Sequence, residues 1–316
     1  MERDRPITRD TEGASPALSV IIVTYNSAGA LPPLLDSIPA GLAGIDRFEV
    51  LIADNESKDG SAELAEAHPV SPTVIRMGYN AGYAAAINAA AARAHPGSHL
   101  LILNPDLRLY PDAARPLIER AEKTSTGVVV PLNYTEEGRV DPTLRREPSI
   151  MTAWADALLG GTLAMRVGLG EVIGGEARYG RSGTVEWATG SALLVSARVR
   201  DLIGAWDESF FLYSEEVDYL RRVREAGFEV VFEPRSQVMH ESGGSGRNAR
   251  LFALMTANRI RYYGRHHNAL QTSLFRLGIA LGQAIRCWRG AAHRAALSSA
   301  LMPLKSPTEF MAIRRS

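Results

Sequence analysis

A single cysteine, Cys287, in 316 residues excludes an internal disulfide framework and a cysteine-rich zinc site, and it suits a reducing compartment. Also missing is any uninterrupted apolar run of about 18 residues, so no membrane-spanning helix is expected. The opening stretch MERDRPITRDTEGASP (residues 1–16) is charged and holds no apolar segment. It reads as a flexible leader and not as a signal peptide, which with the lone cysteine points to the cytoplasm. Net charge is zero, and neither an internal repeat nor a low-complexity linker is present. A hydrophobic share of 46% excludes whole-chain disorder and allows a sizeable core, in one large domain or two small ones.

The charge is balanced overall but uneven along the chain. From Arg247 to Ser316 twelve Lys or Arg stand against one acid, Glu309; with 35 of each sign in the whole chain, residues 1–246 carry 23 basic and 34 acidic groups. A basic tail suits an anionic surface such as the inner leaflet of the cell membrane or a lipid pyrophosphate. Within it, LFRLGIALGQAIRCWRGAAHRAALSSALM (274–302) mixes apolar residues with Arg at roughly helical spacing. That pattern predicts a helix lying peripherally on a membrane or packing on the domain.

The first half alternates strand and helix. LSVIIVTYN (18–26) is an apolar, β-branched run with a polar end, the pattern of a strand buried on both faces. LPPLLDSI follows as a helix with prolines in its first turn, where a missing amide hydrogen costs little. FEVLIADNES, SAELAEAH, TVIRMG, GYAAAINAAAARAH and HLLILNPDL continue the alternation. The prediction is an α/β fold with an open, mostly parallel central sheet and helices on both faces, and ligands bind beyond the carboxyl ends of such strands. Those ends carry Thr24, Tyr25 and Asn26, then Asp54 and Asn55, then Asn104 and Asp106. Residues 134–185 are irregular and glycine-rich and predict a long, mobile excursion facing the substrate. We expect one catalytic domain over 17–246 and a basic helical extension over 247–316.

Taken in order, VTYN, ADNESKDGS, GYNAGYAAAIN, LNPD, ATGSALLV, WDESFFLYSEEVD and MHESGGS resemble family 2 glycosyltransferases, and within them the bacterial rhamnosyltransferase branch. The resemblance runs over about residues 18–268 and includes ANRIRYYGRHH, similar to a basic aromatic helix that follows the catalytic domain in that family. It implies a GT-A nucleotide-sugar-binding fold and a metal-dependent (Mg²⁺ or Mn²⁺) inverting transfer. The partners implied are a nucleotide-sugar donor, dTDP-rhamnose, and a glycan or lipid-linked cell-surface acceptor, with another nucleotide sugar or a natural-product acceptor as the alternative. No nucleic acid is expected.

The resemblance also assigns residues. Thr24, Tyr25 and Asn26 match contacts to base and ribose, and Asp54 the acid that binds the base, with Asn55 beside it. Asn80 and Gly82, ahead of a helix amino end that can face phosphate, match donor contacts; Asn88 is a packing or supporting residue, and Arg76 either pairs with phosphate or is solvated. LNPD stands where the family keeps its metal motif, usually two acids. Asn104 replaces the first, which leaves Asp106, and a hard cation can bind through one carboxylate plus substrate pyrophosphate. His240 matches a histidine that completes the metal shell, whereas His266 and His267 read as surface residues. Gly190 and Ser191 border the acceptor, and Trp187, Trp206 and Phe211 either line its pocket or pack in the core.

Inverting transfer needs a base for the acceptor hydroxyl. A carboxylate beside the aromatic run FFLY is partly desolvated, which raises its pKa. The family's acid pair here reads Glu215–Glu216, so Glu216 is expected as the base, with Glu215 as the alternative. Asp218 and Arg222 are spaced for an i,i+4 pair, and Arg221 and Arg224 suit a solvated face. Two rival functions frame this reading. A nucleotidyltransferase normally needs a basic phosphate loop after the first strand, and TYNSAGALPPL has no basic residue. A degenerate sugar-nucleotide-binding subunit, suggested by Asn104 and Glu216, would bind donor without turnover.

Overall fold

The computed structural model describes residues 18–241 and 248–303. The expected leader and the glycine-rich loop after His240 lie outside them, as does the end of the basic tail. The strands are β1 (Leu18–Thr24), β2 (Phe48–Asp54), β3 (Thr73–Arg76), β4 (His99–Leu103), β5 (Leu107–Leu109), β6 (Thr126–Tyr134), β7 (Leu144–Arg145), β8 (Gly183–Val185), β9 (Trp187–Ala188), β10 (Ala192–Val195) and β11 (Glu229–His240). Nine of them form one sheet in the order β3-β2-β1-β4-β10-β6-β11-β5, with β8 beside β11, while β7 and β9 pair separately. Strands β1 to β4 are parallel to their sheet neighbours among themselves, as is β11 to β6; β10, β5 and β8 run antiparallel to theirs. The sheet is therefore mostly parallel.

Helices cover both faces. They are α1 (Leu31–Gly41), α2 (Ser61–Glu66), α3 (Tyr83–Ala91), α4 (Ala114–Ala121), α5 (Ile150–Leu159), α6 (Gly161–Arg166), α7 (Glu176–Tyr179), α8 (Ala197–Ile203), α9 (Glu215–Glu225), α10 (Ala249–His266), α11 (Ala269–Arg286) and α12 (Ala291–Leu301). Every residue of β1 is buried, and its alternate side chains enter two cores. Leu18, Val20 and Ile22 pack with Leu31, Leu34 and Leu35 of α1 and Leu117 of α4. Ile21 and Val23 pack on the other face with Ala84 and Ile87 of α3 and Leu220 and Val223 of α9. Register then brings the functional edge together: Thr24 lies opposite Asp54, and Asp54 opposite Arg76. Because β10 runs the other way, its start, Ala192, sits beside Leu103 at the end of β4, so Gly190 and Ser191 arrive at the same edge.

Residues 134–185 differ from the expected irregular excursion. They order into α5, α6 and α7 with strand β7. Glycines hid this pattern, because they end the helices instead of interrupting loops: Gly160 separates α5 from α6 at φ +81°, and Gly168 follows α6 at φ +75°. A capping box of Ser149 and Thr152 starts α5. The stretch 274–302, expected as one helix, is shared between α11 and α12, with Gly290 at φ +144° between a one-turn 3₁₀ helix (Cys287–Arg289) and α12. Helices α10, α11 and α12 share a small third core with α5 through Ala153, Ile260, Phe275, Ile279 and Ala300.

Helix α11 approaches α5 closely because Gly278 and Gly282 lack side chains. A Cβ at Gly278 would lie 2.9 Å from the Trp154 ring, and one at Gly282 would lie 3.2 Å from Ala157. Gly278→Val is accordingly expected to lose about 1–3 kcal/mol of stability through overpacking, read as a lower denaturant midpoint with an unchanged slope.

Candidate functional site

An open cleft of about 2240 Å³ follows the carboxyl edge of the sheet. One end holds Tyr25, Asn26, Asn55, Tyr79, Asn80 and Gly82; the middle holds Asn104, Asp106, Glu215, Glu216 and His240; Arg145, Trp187, Gly190 and Ser191 line it as well, and residues of α10 to α12 form its far wall. Most of the sequence-assigned residues therefore meet in one cleft.

Three do not line it. Thr24 is fully buried, and its Oγ1 donates to Asp54 Oδ2 at 2.8 Å. Asp54 is 3% exposed, and its two oxygens also accept from the amide (2.9 Å) and hydroxyl (2.5 Å) of Ser57. In this structure Asp54 shapes the loop after β2, with Thr24 behind it, and neither side chain lines the cleft where a base contact was expected. Arg76 is held on the surface by Glu63 at 3.0 Å and Glu66 at 2.9 Å, away from the cleft. Asn55 does reach it: its side-chain amide donates to Gly82 O at 3.1 Å and its Oδ1 accepts from Ala81 N at 3.2 Å. Asn80 Oδ1 accepts from Gly82 N at 3.2 Å.

Gly82 is a point of contact between the two halves of the site. At φ +96°, a Cβ here would stand 2.5 Å from Phe211 O, and the next amide, Tyr83 N, donates to that oxygen at 2.6 Å. Phe211 begins a strained turn: Phe211, Tyr213 and Ser214 all have positive φ, at 66°, 70° and 76°. A buried side chain braces the turn. Asn258 of α10 is 0% exposed, and its Nδ2 faces the carbonyls of Phe210 (2.7 Å), Leu212 (2.9 Å) and Tyr213 (3.3 Å).

The turn delivers Glu215 and Glu216 at the start of α9. Glu215 is 3% exposed and Glu216 part-exposed, and Oε2 of each is buried with no hydrogen-bond partner among the described residues. Burial pushes the Glu215 carboxyl well above the usual range, and the adjacent Glu216 pushes it further, while backbone amides at the helix start pull the other way. Burial also raises Glu216; backbone amides and then the Arg145 charge restrain it. Beside them, the buried Tyr83 hydroxyl donates to Asn104 Oδ1 at 2.8 Å. Burial and the charges of Glu215, Glu216 and Asp106 hold that phenol protonated.

Asp106 and His240 lie 3.3 Å apart (Oδ1 to Nε2), and Asp141 Oδ2 is 3.7 Å from His240 Nδ1. Burial opposes protonation of His240, but the hydrogen bonds and charges of the two acids outweigh it and raise its pKa to about 9. Among the described residues no group of three or more His, Cys, Asp or Glu is arranged to hold a metal ion. Apart from that His240 contact, Asp106 Oδ1 is buried without a hydrogen-bond partner among them. Together with His240 it offers the oxygen and imidazole donors that a divalent cation accepts, so the residues fit a partial site.

Of the residues expected to border an acceptor, Trp187 is 8% exposed, lines the cleft and donates Nε1 to Arg146 O at 2.7 Å. Gly190 leaves room for Glu216, whose Cβ would be 3.4 Å from a Cβ at Gly190. Ser191 Oγ accepts from Asn133 Nδ2 at 2.6 Å. Phe211 lines the cleft, but Trp206 stacks on Tyr219 at 4.4 Å in the core. Asn88 brackets the Trp206 backbone at 2.8 and 2.9 Å and is a packing residue. Arg222 pairs with Asp218 at 3.0 Å. Arg221 and Arg224 depart from a solvated face, since both bind Glu147, which also accepts from the Tyr262 hydroxyl.

Sequence reasoning missed Arg145, Glu171, Arg259 and Asn258. Arg145 is half-buried in the cleft wall; its guanidinium donates to the carbonyls of Pro142 and Leu144, and burial lowers its pKa. Glu171 is paired with Arg259. Only a strand signal in LRR would have pointed to Arg145, and it lay inside the stretch read as irregular.

Residues 19–173 match the model of glycosyl transferase family 2. Over 246 residues the chain is 29% identical to the N-acetylglucosaminyl-diphospho-decaprenol L-rhamnosyltransferase of Mycobacterium tuberculosis, covering 72% of this chain and 77% of that enzyme. Rhamnosyltransferase WbbL of Escherichia coli is 22% identical over 254 residues, 78% of this chain and 92% of its own. Among solved structures, mannosyltransferase PcManGT from Pyrobaculum calidifontis, in complex with GDP-Man and Mn²⁺, matches with a TM-score of 0.54 at 16% identity, covering 96% of this chain and 85% of its own. GalNAc-T7 with UDP, GalNAc and Mn²⁺ matches with a TM-score of 0.59 at 15% identity, over 96% of this chain but only 57% of that longer one.

Two outcomes follow from the carboxylate turn. Asn258→Ala leaves buried carbonyls unpaired and is expected to cost about 1–3 kcal/mol in a denaturant titration. Glu215 has a folded-state pKa above its unfolded value, so folding binds its proton, and stability falls as pH rises from the unfolded pKa toward the folded one. Glu215→Gln carries no such penalty. Its melting temperature should exceed the parent's at about pH 8 and approach it near about pH 4.5, the ordinary carboxylate range.

Proposed function

The chain belongs to glycosyl transferase family 2 and has the GT-A fold, and on that premise we propose that it transfers a deoxysugar, L-rhamnose from its thymidine diphosphate form, to a hydroxyl of a glycan or lipid-linked cell-surface precursor. The rhamnosyltransferases it resembles support the sugar and the acceptor class. The observation that carries the chemistry is the Glu215–Glu216 pair, held beside the cleft with raised pKa values. Transfer proceeds with inversion.

The polar end at Tyr25, Asn26, Asn55 and Asn80 receives the nucleotide, and the wall at Trp187, Gly190 and Ser191 receives the acceptor. Glu216, part-exposed and next to Gly190, takes the proton from the attacking hydroxyl; its raised pKa makes it a better base than an ordinary surface carboxylate. Glu215 is the more deeply buried and keeps its proton, which spares the site two adjacent charges. Arg145 faces Glu216 and favours its ionised form. Asp106 and His240 would hold Mg²⁺ or Mn²⁺, which supplies positive charge against that developing on the leaving pyrophosphate. The cleft is far larger than a nucleotide sugar needs, and its α10–α12 wall gives space for a long acceptor.

The test is turnover of a nucleotide-sugar panel with Mg²⁺ or Mn²⁺ and candidate acceptors. Glu216→Gln should lower kcat by about 10²–10⁴-fold while calorimetric donor binding persists. Donor binding by the parent without transfer to any acceptor would instead favour a degenerate binding subunit. Activity of the parent should fall as pH drops through the raised Glu216 pKa, and Arg145→Gln, by removing a charge that lowers it, should move that acidic limb to higher pH.

A further inference from the structure

The outward side of α11 breaks the usual rule for a surface helix. Leu270, Leu274, Leu277, Leu281 and Ile285 recur at three- and four-residue spacing along one side, and Trp288 continues the line. This is not the side that packs inward, which carries Phe275, Gly278, Ile279 and Gly282. Leu270 is 69%, Leu277 54%, Ile285 47% and Trp288 75% exposed. A surface helix normally turns charged residues outward, and one that is apolar on both sides is normally covered.

Neighbouring elements extend the face. Helix α5 lies against α11 through Trp154 and Ala157, and it presents Met151 at 61% and Leu158 at 63% exposure. Leu158, Leu159 and Leu163 of α5 and α6 meet Ile285 and Trp288 around one shallow hollow, whose other walls include Arg166, Arg286 and Arg289. This exceeds the scattered exposed leucines of an ordinary surface.

We propose that the joined outward faces of α5, α6 and α11 dock the protein on an anionic phospholipid leaflet. Charge selects that occupant. The hollow on this face is lined by Arg166, Arg286 and Arg289 and by no acid, so a second copy meeting the same face across a two-fold axis would set like charges against each other. Anionic headgroups complement them, and a tryptophan with flanking arginines suits the boundary between headgroups and chains. No described helix is long and apolar enough to cross a membrane, so the contact is peripheral. The inference deepens the proposed function, resting on it only for the lipid-linked acceptor. Helix α11 has the leaflet on one side, while its Ile279 and Gln283 line the cleft on another.

The test uses the full chain without donor or acceptor. It is sedimented with vesicles of phosphatidylcholine alone, or of phosphatidylcholine with phosphatidylglycerol. Binding to the mixed vesicles that weakens with salt is expected. The triple variant Leu277→Ser, Ile285→Ser and Trp288→Ser should bind more than about tenfold more weakly, with an unchanged melting temperature because these side chains are exposed. No binding to the mixed vesicles overturns the proposal. So does binding that survives the triple variant and is lost when residues 304–316 are removed, which assigns docking to the tail. A dimer that the triple variant abolishes, without vesicle binding, assigns the face to a second copy. Nucleotide-sugar binding is measured separately: its failure with vesicle binding intact would sink the proposed function alone.

Discussion

Two adjacent carboxylates taken out of water cannot both be ionised cheaply, and the centre of this protein is arranged around that constraint. Glu215 and Glu216 sit where the strained turn 211–214 meets α9. The start of a helix softens the penalty through its amides. The backbone strain is over-determined by the Asn258 side chain on one side and the Tyr83 amide on the other. Tyr83 and Asn104 in turn connect the turn to the end of β4. Helix α10 is thus part of the site as well as of the C-terminal region, because the residue that fixes the carboxylates projects from it.

The half of the fold built from alternating strands and helices was legible because buried parallel strands leave an unmistakable apolar run with a polar tip. The same regularity located most of the cleft. It could not tell which polar tips face outward: Thr24 bonds to Asp54 and Asp54 also to Ser57, while Asn55, one residue on, opens to the cleft. Sequence adjacency carries no record of that division. Arg76 was ambiguous for the same reason, and two glutamates on α2 decide it.

Residues 134–185 were misread for a different reason. Short helices bounded by glycines look like loop in a pattern search, and α5 is stabilised by packing on α11, which is over a hundred residues away in sequence. Tertiary contact overrides local appearance here. The cleft wall at Arg145 and Glu171 was hidden with them. Arg221 and Arg224 illustrate the converse: a charged helix face that looks solvated clasps Glu147.

Gly82 carries a double veto, conformational and steric, since its φ is positive and Phe211 fills the space a side chain would need. The Asn80 end and the carboxylate end of the cleft are therefore welded at one backbone contact, and a change that displaces one displaces the other. Side chains such as Tyr25 and Tyr79, which line the cleft and stand 50% and 61% exposed, can be exchanged without moving that weld. New specificities in such a chain would arise by repainting the rim of the cleft while its hinge of chemistry stays fixed.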